Sequence, residues 1–497
     1  MFFLTEKQKK LFFEVFSYNK EKKGFEVYNE NLSIPKIEFD TRKIQTDDCF
    51  FIALQSQRDG HDFVMDAVKK KVKGIIINEA KKNEILDQIQ KNNPDYELYV
   101  IIVEDTLSFL HKMAEIQRNE FLGLVIGVLG SNGKTSTKDF LCELLNSLQP
   151  TFCSKESFNN HIGVPLTILN KPNEAKIIIV EMGMNHKGEI KFLTSLTKPD
   201  VFCIPSIGRE HMAFFSSLEE VARAELEFLD FLNENHYVFY PSGAPLKEEL
   251  LVAQKQKNFT LIFFELSTKE NGFEYESKLQ EKVLLAKGLF SKNTIQWKNV
   301  KIKNQKLHHF GLYSNLFLSL LVYEFVFKTP LSSEVLEKLE NLKPTSKHRF
   351  EIHQQKGITI IDDSYNANPD SFLSAIQSIV ELFNPHRKKN VGCFIGHMAE
   401  LGDFSEISHR EIGRVLAEND FHLLGVCGNS DVLFLSDEYR KYKNHVVPYF
   451  ESSELLAENL TNLNLPFDQY EILFIKGSRS AKMERITQKL LEVLQNV

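Results

Sequence analysis

Short apolar strands alternating with helical stretches predict an α/β protein of three domains. Three observations carry this reading. The chain has 497 residues, 42% hydrophobic and 26% charged, enough apolar material for several cores. Residues 122–148 read as a buried strand, a Gly-rich turn and an amphipathic helix. Strand–helix alternation resumes after Pro344-Thr345-Ser346, a plausible linker. The expected divisions are 1–106, a small α/β domain; 107–346, a central domain with a mostly parallel sheet; and 347–497, a Rossmann-like domain.

In the first block the expected strands are Cys49–Leu54, Gly74–Ile77 and Leu98–Val103, with a helix over Phe63–Lys71. A helix over Leu107–Arg118 leads into the second block. There the strand Leu122–Leu129 precedes a helix with Phe140, Leu141, Leu144, Leu145 and Leu148 on one side. Ile177–Val180 and Val201–Pro205 are further strands, and the more polar stretch 241–310 reads as a β-rich insertion. The third block offers strands at Ile358–Ile361, Val391–Ile395, Leu423–Val426 and Ile472–Ile475, then a helix from about Ser480. Strands covered on both faces by helices read as continuous apolar runs, as these do.

Composition excludes several classes. Sixty Lys and Arg against 67 Asp and Glu give a net charge of −7, which argues against a nucleic-acid scaffold. The six cysteines form no CxxC pair and mostly sit in apolar segments, so buried reduced thiols are expected rather than disulfides or zinc. The start, Met1-Phe2-Phe3-Leu4-Thr5-Glu6-Lys7, turns charged at once and shows no signal peptide. No uninterrupted apolar run approaches the ~20 residues of a membrane span. A cytoplasmic protein without stable membrane insertion, and a monomer, is expected.

The strongest local signal is Gly127-Val-Leu-Gly130-Ser-Asn-Gly133-Lys134-Thr135. It lies between a strand and a helix, the context a phosphate loop requires. Backbone N–H groups of such a loop curl around phosphate oxygens, and the helix N-terminus adds a positive dipole end. Lys134 would reach the β- and γ-phosphates, and the Thr135 hydroxyl would ligate Mg2+. The general pattern places Gly where this chain has Val128, so the glycine spacing is shifted. A phosphate loop also needs a carboxylate for the metal. Glu181 follows the strand Ile177–Val180 at its C-terminal end, where ligands bind in such sheets. His211, after Val201–Pro205 and Ile207-Gly208, could complete a Mg2+ or Mn2+ shell, although a lone His more often has a structural role.

The shifted loop Gly130-Ser-Asn-Gly-Lys-Thr-Ser136 resembles the ATP loop of the Mur ligases, which extend the peptidoglycan precursor. Phe158-Asn-Asn-His-Ile-Gly-Val-Pro-Leu-Thr167, Glu181-Met-Gly-Met-Asn-His-Lys-Gly-Glu-Ile190 and Ile361-Asp-Asp-Ser-Tyr-Asn-Ala-Asn-Pro-Asp-Ser371 resemble the branch that adds D-alanyl-D-alanine. Gly396-His-Met-Ala-Glu-Leu-Gly402 and Lys476-Gly-Ser-Arg-Ser480 follow in the family's order. Asp40-Thr-Arg-Lys43 and Asp59-Gly-His-Asp-Phe63 are similar to the domain that holds the UDP-sugar. The similarity runs from about residue 38 to 485.

The resemblance implies a UDP-binding first domain, an ATP-binding second and a third that helps hold nucleotide and incoming amine. It implies that ATP phosphorylates the terminal carboxylate of UDP-N-acetylmuramoyl-tripeptide and that the D-alanyl-D-alanine amine attacks the acyl phosphate. By the same resemblance Gly130, Ser131, Asn132, Gly133, Lys134, Thr135 and Ser136 cradle ATP. Thr135 and Glu181 hold a first Mg2+, and His211 belongs to a second metal site. Asn159 and Asn160 lie near the metals and the reacting carboxylate, unless they merely cap a turn. Arg349 faces the nucleotide phosphates, Asp362 binds ribose, and Tyr365, Asn366 and Asn368 lie near nucleotide and substrate. Lys476 and Arg479 suit an anionic substrate group. Thr41 and Arg42 contact the uracil and phosphates, and Asp59 to Phe63 shape the same pocket.

Several positions depart from the family. His397 stands where Asp is usual, and Ser216 where Gly is usual. An Asn pair that packs on adenine is not intact in Gly311-Leu-Tyr-Ser-Asn315-Leu-Phe317. Most consequential is Glu225, which occupies the position of a lysine that the family carbamylates to hold the second metal. No lysine occurs between Lys198 and Lys247. Leu218, Val221, Glu225, Phe228 and Leu232 share one helical face, so Glu225 is an acid on an apolar side. A buried carboxylate needs a partner. The expectation is that Glu225 replaces the carbamate, the alternative being an Arg or His pairing. Other readings are another Mur ligase, whose Asp-Asn-Pro-Arg run is absent here; a folylpolyglutamate synthetase; and an inactive UDP-sugar-binding relative.

Overall fold

The computed structural model describes residues 2–4, 14–19, 21–22, 24–28, 30–45, 48–56, 58–92, 94–155, 157–268, 274–328, 331–343, 345–460 and 469–496. Pro344 of the expected linker, and Met1 and Thr5–Lys7 of the N-terminal run, lie outside the described residues. Packing divides the chain into two compact units. One comprises residues 1–127, 148–182 and 191–200; the other comprises 128–147, 183–190 and 201–497.

The first unit contains a six-stranded mixed sheet. Its order is Gly24–Val27, Glu14–Asn19, Leu98–Val103, Gly74–Asn78, Phe50–Ile52 and Ile37–Glu38. The last four strands run parallel, and the two at the other edge are antiparallel. Ile75, Ile77, Phe51 and Val100 pack against Val64, Ala67 and Val68 of the helix Val64–Lys69 and against Ile85 and Ile89 of the helix Lys82–Asn92. The three expected strands and the first helix are present. The strand Glu14–Asn19, the edge strand Gly24–Val27 beside it and the helix Lys82–Asn92 are additions. The parallel pair Thr151–Cys153 and Ile177–Glu181 also lies here.

The second unit holds two sheets. In one, Val201–Cys203, Tyr237–Pro241, Thr260–Ser267 and Val283–Ser291 are successive parallel neighbours. Glu276–Gln280, Thr294–Trp297 and Val300–Lys303 then add antiparallel pairings, the β-rich stretch that the sequence suggests. The other sheet runs Glu351–Gln355, Ile358–Asp363, Ile472–Lys476, Val391–Gly396, Phe421–Cys427 and Tyr449–Phe450, parallel except at the first pair. Its four expected strands are all found, and the last helix is Glu484–Asn496.

Two composition-based expectations need amendment. Cys49, Cys203, Cys393 and Cys427 are buried free thiols, but Cys142 and Cys153 are disulfide-bonded. One continuous helix, Phe310–Phe327, is long and apolar enough to cross a membrane. It is 61% buried within the protein and contains Glu324, so it has the character of a core helix.

Candidate active site

The phosphate loop joins the end of strand Leu124–Val128 to the helix Lys134–Leu145. Gly130 and Gly133 take positive φ values of +93° and +86°. A Cβ on Gly130 would stand 2.4 Å from the Ser206 carbonyl oxygen, so both conformation and space demand glycine there. Phe140, Leu141, Leu144 and Leu145 bury the helix's apolar side and fix its N-terminus.

The segment 206–211 lines this loop. Ser131 N–H donates to the Ser206 carbonyl at 2.9 Å, and Asn132 N–H donates to Ser206 Oγ at 2.9 Å. Ser131 Oγ accepts from Gly208 N–H at 2.9 Å and donates to the Gly208 carbonyl at 3.1 Å. Lys134 Nζ donates to the carbonyls of Gly130 and Ser131 and to Glu210 Oε2, 3.3 Å away. Glu210 Oε1 is in turn 3.6 Å from His211 Nε2. His211 has φ +55°, and its Nδ1 bonds Glu400 Oε2 at 2.5 Å. Burial lowers the His211 pKa, but Glu400 and Glu210 outweigh it and leave the imidazole above its ordinary range. The His211 hydrogen bond holds Glu400 below the usual carboxylate range.

Glu225 ends the helix Leu218–Glu225, inward with Val221, Ala222 and Ala224 as the periodicity predicts. It is 2% exposed, and its Oε2 accepts the Gly130 N–H at 2.8 Å. Burial pushes its carboxyl up to about 7, against the opposing pull of Lys134 and the Gly130 amide. Its protein partner is therefore a backbone amide of the phosphate loop, not the Arg or His pairing of the alternative. Ser216 N–H and Oγ both donate to Glu220 Oε2 at 2.7 Å, and Ser217 caps the same helix.

Residues of the Rossmann-like part complete the constellation. Asn132 and Asn368 exchange side-chain hydrogen bonds of 2.9 and 3.4 Å. Arg349 stacks over the Tyr365 ring at 3.8 Å and donates to Thr135 Oγ1 at 3.4 Å. Asp362 is fully buried, held by His348 Nδ1 at 2.8 Å and by Ser364. Asn366 receives Arg479 N–H on Oδ1, and its carbonyl accepts from Lys476 Nζ. Lys476, which the resemblance suits to an anionic substrate group, is 1% exposed. It is the buried last residue of Ile472–Lys476 and pairs with Asp363 at 2.5 Å, whose carboxyl burial raises despite that cation. The Asn315 carboxamide lies against Gly133, and Ser136 is buried in the first turn of the helix. His397 Nε2 is 3.0 Å from Ser480 Oγ.

The remaining site residues belong to the first unit. Glu181 is 1% exposed at the end of Ile177–Glu181, and its Oε1 accepts from Asn159 Nδ2 at 3.0 Å. Asn160 Oδ1 accepts from Ile162 and Gly163 N–H at 3.1 and 2.9 Å, so it has the local capping role. Arg42 is exposed, paired with Asp40 at 2.8 Å, while the Thr41 carbonyl accepts from Lys70. Asp59-Gly-His-Asp-Phe63 is partly architectural: His61 Nδ1 bonds Asp59, and its Nε2 accepts the Asn78 N–H.

Glu210, Arg209 and Glu400 are charged residues of this constellation to which the sequence reading assigns no role. The run Gly208-Arg209-Glu210-His211 was the available signal, three charged or titratable side chains directly after a glycine in the loop that follows the strand Val201–Cys203. Among the described residues no group of three or more His, Cys, Asp or Glu side chains is arranged to hold a metal. The donors expected for a first Mg2+, the Thr135 hydroxyl and the Glu181 carboxylate, are oxygen ligands of the kind Mg2+ prefers, and they fit. Those expected for a second ion each have a protein contact already: Glu225 Oε2 accepts the Gly130 N–H, and His211 Nδ1 faces Glu400, the orientation in which the ring's Nε2 is the nitrogen left to meet a metal.

Residues 128–322 match the Mur ligase middle domain, and residues 348–479 match the Mur ligase glutamate ligase domain. The UDP-N-acetylmuramoyl-tripeptide–D-alanyl-D-alanine ligase of Bacillus subtilis (strain 168) is 30% identical over 470 residues, covering 93% of this chain and 94% of its own length. The fold is similar to that of MurF from Acinetobacter baumannii, with TM-score 0.73 at 23% identity, covering 94% of this chain and 95% of that one. MurF ligase from Thermotoga maritima in complex with ADP gives TM-score 0.69 at 23% identity, over 93% and 98%.

Proposed function

The chain belongs to the Mur ligase family, and from that premise we propose that it joins D-alanyl-D-alanine to UDP-N-acetylmuramoyl-tripeptide at the expense of ATP. The product is a peptidoglycan precursor, with ADP and phosphate released. The observation that carries the reading is the similarity to a ligase of that activity along nearly the whole of both chains.

The chemistry follows from the residues. A carboxylate is a poor electrophile at neutral pH, so ATP first turns the tripeptide's terminal carboxylate into an acyl phosphate. Two anions must meet for that step. Lys134 and the N–H groups at the start of Lys134–Leu145 supply positive charge where the transferred phosphoryl develops negative charge. To take up that role Lys134 exchanges its bonds to the Gly130 and Ser131 carbonyls for phosphate oxygens. Arg349, held flat on Tyr365, is a second cation for the nucleotide phosphates. The D-alanyl-D-alanine amine then attacks the acyl carbon, and phosphate leaves.

Mg2+, when bound, would offset phosphate charge, with Thr135 and Glu181 as its protein ligands. Glu225 and His211, expected at a second metal site, also serve the loop: one fixes the Gly130 amide, and the other joins Glu210 to Glu400. Asp362 is assigned to ribose, Tyr365 and Asn366 to nucleotide and substrate, Asn159 to the reacting carboxylate, Lys476 and Arg479 to an anionic substrate group, and Thr41 and Arg42 to the UDP end. The reading makes residues 1–106, 107–346 and 347–497 the UDP-binding, ATP-binding and ligase domains of a cytoplasmic monomer. The direct test is mass spectrometry of a reaction with ATP, Mg2+, UDP-N-acetylmuramoyl-tripeptide and D-alanyl-D-alanine. A UDP-N-acetylmuramoyl-pentapeptide supports the proposal. Unchanged tripeptide refutes it.

A further inference from the structure

Arg209 lies between two residues that hold the phosphate loop. Gly208 exchanges hydrogen bonds with Ser131, and Glu210 holds Lys134. Arg209 itself reaches into the Rossmann-like part. Its backbone N–H donates to Asp370 Oδ2 at 2.6 Å, while Nε and one terminal nitrogen donate to Asp370 Oδ1 at 3.0 and 2.8 Å. The other terminal nitrogen donates to Glu411 Oε2 at 2.6 Å. Asp370 is in the first turn of the helix Pro369–Ser378, and Glu411 is on the helix Ser405–Glu418. One guanidinium therefore bridges two helices with its planar fork, a geometry lysine cannot reproduce. A Cβ on Gly208 would stand 2.7 Å from Asp370 Oδ2, so glycine lets the carboxylate approach. The Asn132–Asn368 pair ties the same helix cap to the phosphate loop.

We propose that Arg209 is a positioning residue that couples docking of the ligase domain to the geometry of the phosphate loop, so that the acyl phosphate is shielded until the amine attacks. This rests on the ligase reading above. With the bridge intact, the helices Pro369–Ser378 and Ser405–Glu418 are pinned to the segment that sets Ser131 and Lys134. Without it the segment keeps its own bonds to the phosphate loop, but the ligase domain is held less firmly. Water then competes with the amine: its oxygen attacks the acyl carbon, the carbon–phosphate oxygen bond breaks, and tripeptide carboxylate and inorganic phosphate are released.

The test measures phosphate released per amide bond formed, with the full chain, ATP, Mg2+, UDP-N-acetylmuramoyl-tripeptide and D-alanyl-D-alanine. The wild type should give a ratio of one. Arg209→Ala should form amide at least ten-fold more slowly, with a ratio several-fold above one. Arg209→Lys, which keeps the charge and loses the fork, should fall between. A general loss of structure would lower both products together and leave the ratio at one. If Arg209→Ala does not fold, Arg209→Lys and Asp370→Asn decide by the same ratio. A ratio of one in every folded variant overturns the proposal. A wild type that forms no amide instead refutes the ligase reading on which it rests.

Discussion

The turn at Thr41–Lys43 and the loop at Gly130–Thr135 are both read as anion sites, yet they are built in opposite ways. The turn is held by its own neighbours. Asp40 caps it and takes both the backbone N–H and the guanidinium of Arg42, two residues away, and that side chain is 87% exposed. The loop is held by residues far along the chain. Glu225 takes the Gly130 amide across 95 positions, and Glu210 takes Lys134 across 76. A locally built, exposed site exchanges its partners for a ligand at little cost to the fold. A site wired by buried long-range contacts ties ligand chemistry to stability.

Breaking the wired site should have the largest effect. Lys134→Ala should remove ~3 kcal/mol or more of transition-state stabilisation, a loss of about a hundred-fold or more in kcat, with the far-ultraviolet spectrum unchanged. Near-normal turnover of the purified variant at saturating ATP would remove the phosphate-loop assignment.

Glu225 sharpens the contrast through pH. Its carboxyl is raised to about 7 by burial from an ordinary 4.5, so the folded protein holds this proton more tightly than the unfolded chain. The associated stability is fully present below pH 4.5 and is lost as pH rises to about 7. Glu225→Gln stays neutral throughout. Its stability relative to the wild type should therefore climb by about 3 kcal/mol between those limits and level off above them. Denaturant titrations at several pH values measure this. A pH-independent difference would mean that Glu225 is ionised in the fold as it is in the unfolded chain.

The smallest effect on the fold belongs to the turn. Arg42→Ala should leave the melting temperature unchanged. It should raise the KM for UDP-N-acetylmuramoyl-tripeptide on the order of ten-fold, with kcat preserved. A melting temperature lowered by several degrees would show that the turn is wired into the fold after all.

The same division explains what the sequence discloses. The strand–turn–helix around Lys134 is legible because its determinants are contiguous: an apolar run, glycines at turning points and an amphipathic helix. Leu98–Val103 is legible as an unbroken apolar strand. Glu14–Asn19 and Gly24–Val27 are not, because polar residues interrupt their apolar positions and no such run forms. Periodicity shows that Glu225 faces inward but cannot name the Gly130 amide as its partner. Arg209 has no role legible in the sequence, since its carboxylates lie 161 and 202 residues away. Asn160 and Lys476 are legible from family motifs, but their protein partners are not: Asn160 Oδ1 accepts the Ile162 and Gly163 N–H groups, and Lys476 pairs with Asp363 at a strand end.

The central claim is that this chain activates a carboxylate with ATP and keeps it from water until an amine arrives. Inorganic phosphate release, followed with ATP, Mg2+ and UDP-N-acetylmuramoyl-tripeptide, tests it most directly. The account predicts little sustained release until D-alanyl-D-alanine is added, and then one phosphate per amide bond. Equal release with and without D-alanyl-D-alanine would contradict it.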